Sequence, residues 1–331
     1  MKKSLAGLIV VAVGVAFIVT TFVANLYKAG PAFERMTTNF RPHMTQAAIT
    51  QYQKDLSGLA AVNTEFTTKA APALAQALHM TPAQFNAYVA KQFPAVAAGM
   101  SAMPQIGTSF KGVLTTLDNE RARFASADAI PTSSLPATTL PWALLGIGVL
   151  AVAVGGWLMV GGRAAQVVAV VLAGLLILVP LALSLPSKAS NADTMNAHLK
   201  PVYTEQLVAG AKQSLQVLQA MGTEMQTKMI PAVAQAMNLT TAQTQAFLAS
   251  SFPAIAQGLQ SMPAALTRFT GLVGAFDKSL ADYNTLKPIS LAPVVWVIVI
   301  GGFVTLVVAF AARMEDRARV VGIKSAPAKA A

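Results

Sequence analysis

Four stretches leave this chain little freedom. Leu5–Leu26, Leu140–Val160, Ala164–Leu185 and Leu291–Ala312 each run for more than twenty residues without an Asp, Glu, Lys, Arg or His. A helix needs about 20 apolar residues to cross a bilayer core about 30 Å thick. Within lipid, a lone segment satisfies its own backbone only as a helix. The sequence therefore predicts transmembrane helices over 5–26, 140–160, 164–185 and 291–312. Lys2 and Lys3 ahead of the first run, with Val23-Ala24-Asn25 behind it, resemble a secretory signal. The run is too long for a signal core, and an uncleaved span is expected.

Basic residues near the span ends set the orientation. Lys2 and Lys3 in segment 1–4, Arg163 in link 161–163, and Arg313, Arg317, Arg319, Lys324 and Lys329 in tail 313–331 mark the cytoplasmic side. Both termini are thus expected in the cytoplasm, with 27–139 and 186–290 outside a plasma membrane. The basic tail would hold the last helix end at an anionic leaflet. The net charge of +11 does not imply nucleic-acid binding. Segment 28–139 holds nine Lys/Arg against six Asp/Glu, and 185–290 seven against five, with no dense basic patch in either.

Sliding the sequence along itself until Pro72 meets Pro231 lays one large loop on the other without a gap. In this register Lys69-Ala-Ala-Pro72 falls on Lys228-Met-Ile-Pro231, Phe93-Pro94 on Phe252-Pro253, and Met103-Pro104 on Met262-Pro263. Across 69–118, 22 of 50 positions are identical. The same register lays the first span on the third. The expected fold is all-α: four transmembrane helices and two homologous extracytoplasmic helical domains, each a coiled-coil-like hairpin or bundle, in a tandem parallel duplication. Parallel copies differ from the inverted repeats of many transporters.

Within a loop, apolar residues recur every three or four positions, as in a helix. Ile49, Tyr52, Leu56, Leu59 and Phe66 form one stripe, and Phe110, Val113, Leu117 and Phe124 another. Two such stripes predict an antiparallel pair sharing a seam. A long helix rising from each first span and a long one descending to the next are expected, with short helices between. Thr81-Pro-Ala-Gln84 and Thr240-Thr-Ala-Gln243 match the capping box. Each Phe-Pro and Met-Pro pair suggests a break, because a proline disfavours helix in the residue before it.

No catalytic site is legible. Cysteine is absent, and His43, His79 and His198 are scattered, so no metal ligand set is visible and no cofactor is expected. The three histidines read as solvated or helix-end residues, and Asp118 and Glu120 as polar-face residues. No nucleophile elbow, phosphate loop or dinucleotide fingerprint occurs. Uncharged spans weigh against an ion-coupled carrier. Phe93, Pro94, Met103, Pro104, Phe252, Pro253, Met262 and Pro263 are the candidate partner-binding tips; the competing reading has them start helices and fill a core. Gly146, Gly148, Gly155, Gly156, Gly301 and Gly302 allow close span packing or homo-oligomer contacts.

The expectation is a non-enzymatic membrane protein whose outer domains bind a protein or envelope component as scaffold, adaptor or receptor. Membrane lipid is a partner and nucleic acid is not. The alternatives are a transport-associated or lipid-handling role in a groove between the copies, and an enzyme with a dispersed site. The alanine-rich, cysteine-free composition suits a bacterium of high GC content.

Overall fold

The computed structural model describes residues 3–130, 132 and 135–324, with side chains described from 4 to 314 within that set. Lys2, positions 131, 133 and 134, and the tail beyond 324 therefore lie outside the described residues. The described chain is helical, and four of its helices are long and apolar enough to cross a membrane: Ser4–Val23, Thr139–Val160, Arg163–Ala182 and Leu291–Met314. Contacts divide it into two compact units.

The first unit gathers 1–37, 122–197 and 281–331. Its long apolar helices are α1 (Lys3–Val23), α7 (Thr139–Val160), α8 (Arg163–Ala182) and α14 (Leu291–Lys324). Helix α1 packs most closely on α7, and α8 on α14. The α1–α7 approach depends on glycine. A Cβ at Gly7 would lie 2.5 Å from the Gly155 carbonyl oxygen, and one at Gly14 would lie 2.6 Å from that of Gly148. Gly161 and Gly162 make the turn from α7 to α8, with φ of 94° and 141° that side-chain-bearing residues rarely adopt.

Helices α1 and α8 stop short of the predicted ends. Asn25 and Ser184 turn the chain there with φ of 52° and 55°. Helices α2 (Leu26–Phe40) and α9 (Leu185–Leu199) follow. Each carries an acid that satisfies backbone near the start of a membrane helix. Glu34 accepts from the Ala137 N–H at 2.9 Å. Asp193 accepts from the N–H groups of Leu291 and Ala292 at 2.8 and 2.9 Å, and from the Ser290 hydroxyl. Unsatisfied N–H groups and the positive helix end favour carboxylates at such positions.

The second unit comprises 38–121 and 198–280. It contains α3 (Gln46–Glu65), α4 (Ala71–Ala77), α5 (Pro82–Gln92) and most of α6 (Pro94–Asp128). Their partners are α10 (Glu205–Glu224), α11 (Ile230–Ala236), α12 (Thr241–Ser251) and most of α13 (Pro253–Leu286). Single π-helical turns at Phe66–Ala70 and Met225–Met229 join α3 to α4 and α10 to α11. In the register that pairs Pro72 with Pro231, the bounds of α2 to α5 recur as those of α9 to α12, residue for residue. The left-handed residues recur too: Asn25 with Ser184, and His79 with Asn238.

The seam stripes are buried as expected, including Ile49, Tyr52, Leu59, Phe110 and Leu117. Both capping boxes form. Two expectations fail. The rising segment is not one helix, because it turns at Asn25 and again over 41–45. Met103-Pro104 and Met262-Pro263 do not break the descending helices; both prolines sit inside continuous α6 and α13. A proline removes one N–H and crowds the turn before it. Pro104 and Pro263 are exposed, and the Leu259 carbonyl that Pro263 cannot bond accepts instead from the Gln226 side-chain amide at 3.4 Å. Phe93 and Phe252 do interrupt the helix, with φ near −131° and −138°.

Candidate functional site

The two carboxylates that organise the second unit were not singled out by sequence. Glu65 ends α3, and its Oε2 accepts from the Ile255 N–H at 2.9 Å, in the first turn of α13. Glu224 ends α10, and its Oε2 accepts from Ala95 and Val96 at 2.7 and 3.0 Å, in the first turn of α6. The two acids are equivalent in the repeat register, and each caps a helix from the opposite half of the chain. Burial pushes the Glu224 carboxyl up, but the Val96 N–H, Lys228 and the Ala95 N–H together outweigh it and hold it below the usual carboxylate value. Recurrence of an acid at the same place in two otherwise apolar stripes was the available signal.

Side chains filling the seam on one side have small counterparts on the other. Between α3 and α13, Arg268 donates to Asp55 through Nε (2.6 Å) and Nη2 (2.7 Å). Gln51 donates to the same carboxylate at 2.8 Å. The Tyr52 hydroxyl donates to the Arg268 carbonyl at 3.3 Å and lies 2.7 Å from His43 Nδ1. Its ring packs on Phe269 at 5.4 Å. Burial pushes the Tyr52 hydroxyl up to about 12, with Arg268 opposing and Asp55 adding. Burial also lowers His43. The network is filled and polar, and its ion pair is nearly closed to water on the Asp55 side.

Carrying those positions into the other half of the repeat leads to α6 and α10. Tyr52 becomes Ala211, Asp55 becomes Ser214, and Arg268 becomes Ser109. Between these helices lies an open cleft of about 860 Å³. Its α6 wall follows Ala102, Ile106, Ser109 and Val113, and its α10 wall runs from Thr204 through Leu207, Gly210 and Ser214 to Val217. Gln105, Gln206 and Gln213 are exposed along the rim. No lining residue is ionisable. At 1.5 Å per helical residue the walls run about 16 and 20 Å. Thr204 starts α10 cleanly by accepting from the Leu207 N–H at 3.1 Å.

The candidate tips are placed differently. Phe93, Met103, Phe252 and Met262 are buried, while Pro94, Pro104, Pro253 and Pro263 are exposed. Phe93 packs edge-on to Tyr88, and Phe252 to Phe247. Met262 lies against Gly222, where a Cβ would meet its sulfur at 2.5 Å. Each Met-Pro pair sits about 14 Å along the helix from its Phe-Pro pair, so the two do not form one patch.

His79 is exposed at a helix end and His198 half-exposed in the last turn of α9, as expected, whereas His43 is partly buried. His43 belongs to the Tyr52 network, and His198 Nδ1 lies 2.7 Å from Glu120 Oε1. Glu120 is buried, not on a polar face. The equivalent pair in the other half is neutral, with Asn39 donating to the Ser279 hydroxyl at 3.1 Å. His79 ends α4 in the left-handed region, as Asn238 ends α11. Among the described residues no group of three or more His, Asp or Glu side chains could hold a metal ion. No protein-family model matches the chain, and no curated protein is detectably similar to it in sequence.

Proposed function

We propose that this chain is a plasma-membrane binding protein, built by tandem duplication, that engages a protein or envelope component through extracytoplasmic helical domains and performs no chemistry itself. The observation that carries the reading is the cleft between α6 and α10, open where its counterpart is filled by Tyr52, Asp55 and Arg268. A seam serving packing alone gains from filling such space with side chains. Duplication is supported by the recurrence, in one register, of helix bounds, left-handed residues and reciprocal caps.

Membrane insertion is supported by aromatic residues at the ends of the apolar helices. Phe22, Tyr27 and Trp142 form a chain of ring contacts at 5.3 and 5.4 Å, and Trp296 lies near the start of α14. Such rings favour the headgroup level. Arg163 marks the opposite end of α7 and α8. The binding reading is tested by crosslinking native membranes that carry the wild-type chain or the filled variant S109R/A211Y/S214D. Wild-type adducts absent from the filled variant are the expected result. Lipid co-purification without any crosslinked polypeptide or glycan would replace this reading with lipid handling.

A further inference from the structure

The shape and chemistry of the cleft narrow its occupant, on the reading that the cleft is a binding site. We propose that it receives one amphipathic α-helix of a partner protein, inserting an uncharged stripe of small and apolar residues between α6 and α10. Both walls are helices, and lining positions recur at steps of three or four on each: Ala102, Ile106, Ser109 and Val113 facing Leu207, Gly210, Ser214 and Val217. This is the spacing of a helical seam with one member missing.

The dimensions agree. A helix about 10 Å across, half sunk along about 16–20 Å, displaces roughly 600–800 Å³. The cleft offers about 860 Å³. Small lining residues, exposed Gly210 and half-buried Ala211 on one wall and half-buried Ala102 on the other, permit close backbone approach. The Gln105, Gln206 and Gln213 amides would hydrogen-bond the helix flanks, an arrangement of the helix-in-groove type.

The same wall argues against other ligands. With no ionisable lining residue, a charge carried into the cleft would lose hydration without gaining a partner. A saccharide would want an open aromatic face, but Phe110 is buried and meets Phe269 edge-on at 4.9 Å.

The test places a photoreactive benzophenone side chain in the full-length protein in native membranes. It replaces Ala102, Ala211 or Ser214 in turn, with exposed Gln219 as the control. Expected are cleft-specific adducts whose reacted partner residues, mapped by mass spectrometry, lie three or four apart. The Ala102 adduct should fall about tenfold or more in the S109R/A211Y/S214D background, whose thermal unfolding confirms that it folds. A lipid or glycan adduct, or a peptide adduct without helical spacing, overturns the helical occupant and leaves the cleft a binding site. Absence of adducts from all three cleft positions overturns both readings.

Discussion

Asp55 and Ser214 occupy equivalent positions, yet one is bound to an arginine and the other lines an open cleft. Removing one member of a buried ion pair leaves an uncompensated charge, which costs about 3–5 kcal/mol; removing both costs less. Asp55 is the buried member, its side chain 5% exposed. Because Arg268 is 35% exposed and Gln51 still bonds Asp55, Arg268→Ala is expected to destabilise by less than that in denaturant unfolding, and D55S/R268S by less again. Equal losses would mean that the pair contributes little beyond packing. Glu224 adds a pH dependence. Its folded carboxyl lies below the usual 4.5, so its stabilisation is complete above that value and is lost as pH falls through the folded value. Wild-type and Glu224→Gln melting temperatures should differ near neutrality and converge in acid; a constant gap would contradict this. Little of this was legible beforehand. An acid in a stripe reads as surface until its partner is known, and here the partner lies in the other half of the chain.

Single glycines decide how the membrane helices meet. Gly7 and Gly14 face backbone of α7, whereas Gly146 and Gly156 face open space. Forcing methyl groups into a packed contact costs about 1–3 kcal/mol. Gly7→Val and Gly14→Val should lower the melting temperature in detergent, while Gly146→Val and Gly156→Val should leave it nearly unchanged. A uniform loss would instead point to helix propensity. The four long apolar helices are the most legible elements, since length and lack of charge specify them without any partner. The seam stripes and capping boxes were legible for a similar local reason. Pro104 departs from expectation because the rule for residues before proline is a preference, and buried Met103 stays helical within continuous α6. The turns at Asn25 and Ser184 were missed because neither is a glycine or proline.

At the scale of the whole molecule, absence of cysteine makes orientation directly measurable. Single cysteines at Ala242 and at Gly161 should respond oppositely to a membrane-impermeant maleimide on intact cells. Labelling at Ala242 and protection at Gly161 is the outcome expected for cytoplasmic termini, and the reverse pattern would invert the topology. The internal register is legible in the sequence, since 22 matches in 50 positions are visible without coordinates. The cleft was not. Its signal was a set of mismatches, Tyr52 against Ala211 and Arg268 against Ser109, which acquire meaning only once the helices they join are known.

The reciprocal caps carry a historical consequence under the proposed duplication. Glu65 closes a helix of the second half and Glu224 one of the first, so neither half is complete alone. The ancestral polypeptide would have been a two-fold homodimer, its protomers exchanging these carboxylates. Residues 1–161 and 162–331 produced as separate chains should reassemble when co-expressed, while either alone should be degraded. A homodimer is obliged to carry two identical clefts. Under the proposed duplication, covalent fusion would lift that obligation, so that one position can be filled by Tyr52, Asp55 and Arg268 and its counterpart open. The proposed site then occurs once per fused chain, where a homodimer would carry two copies or none.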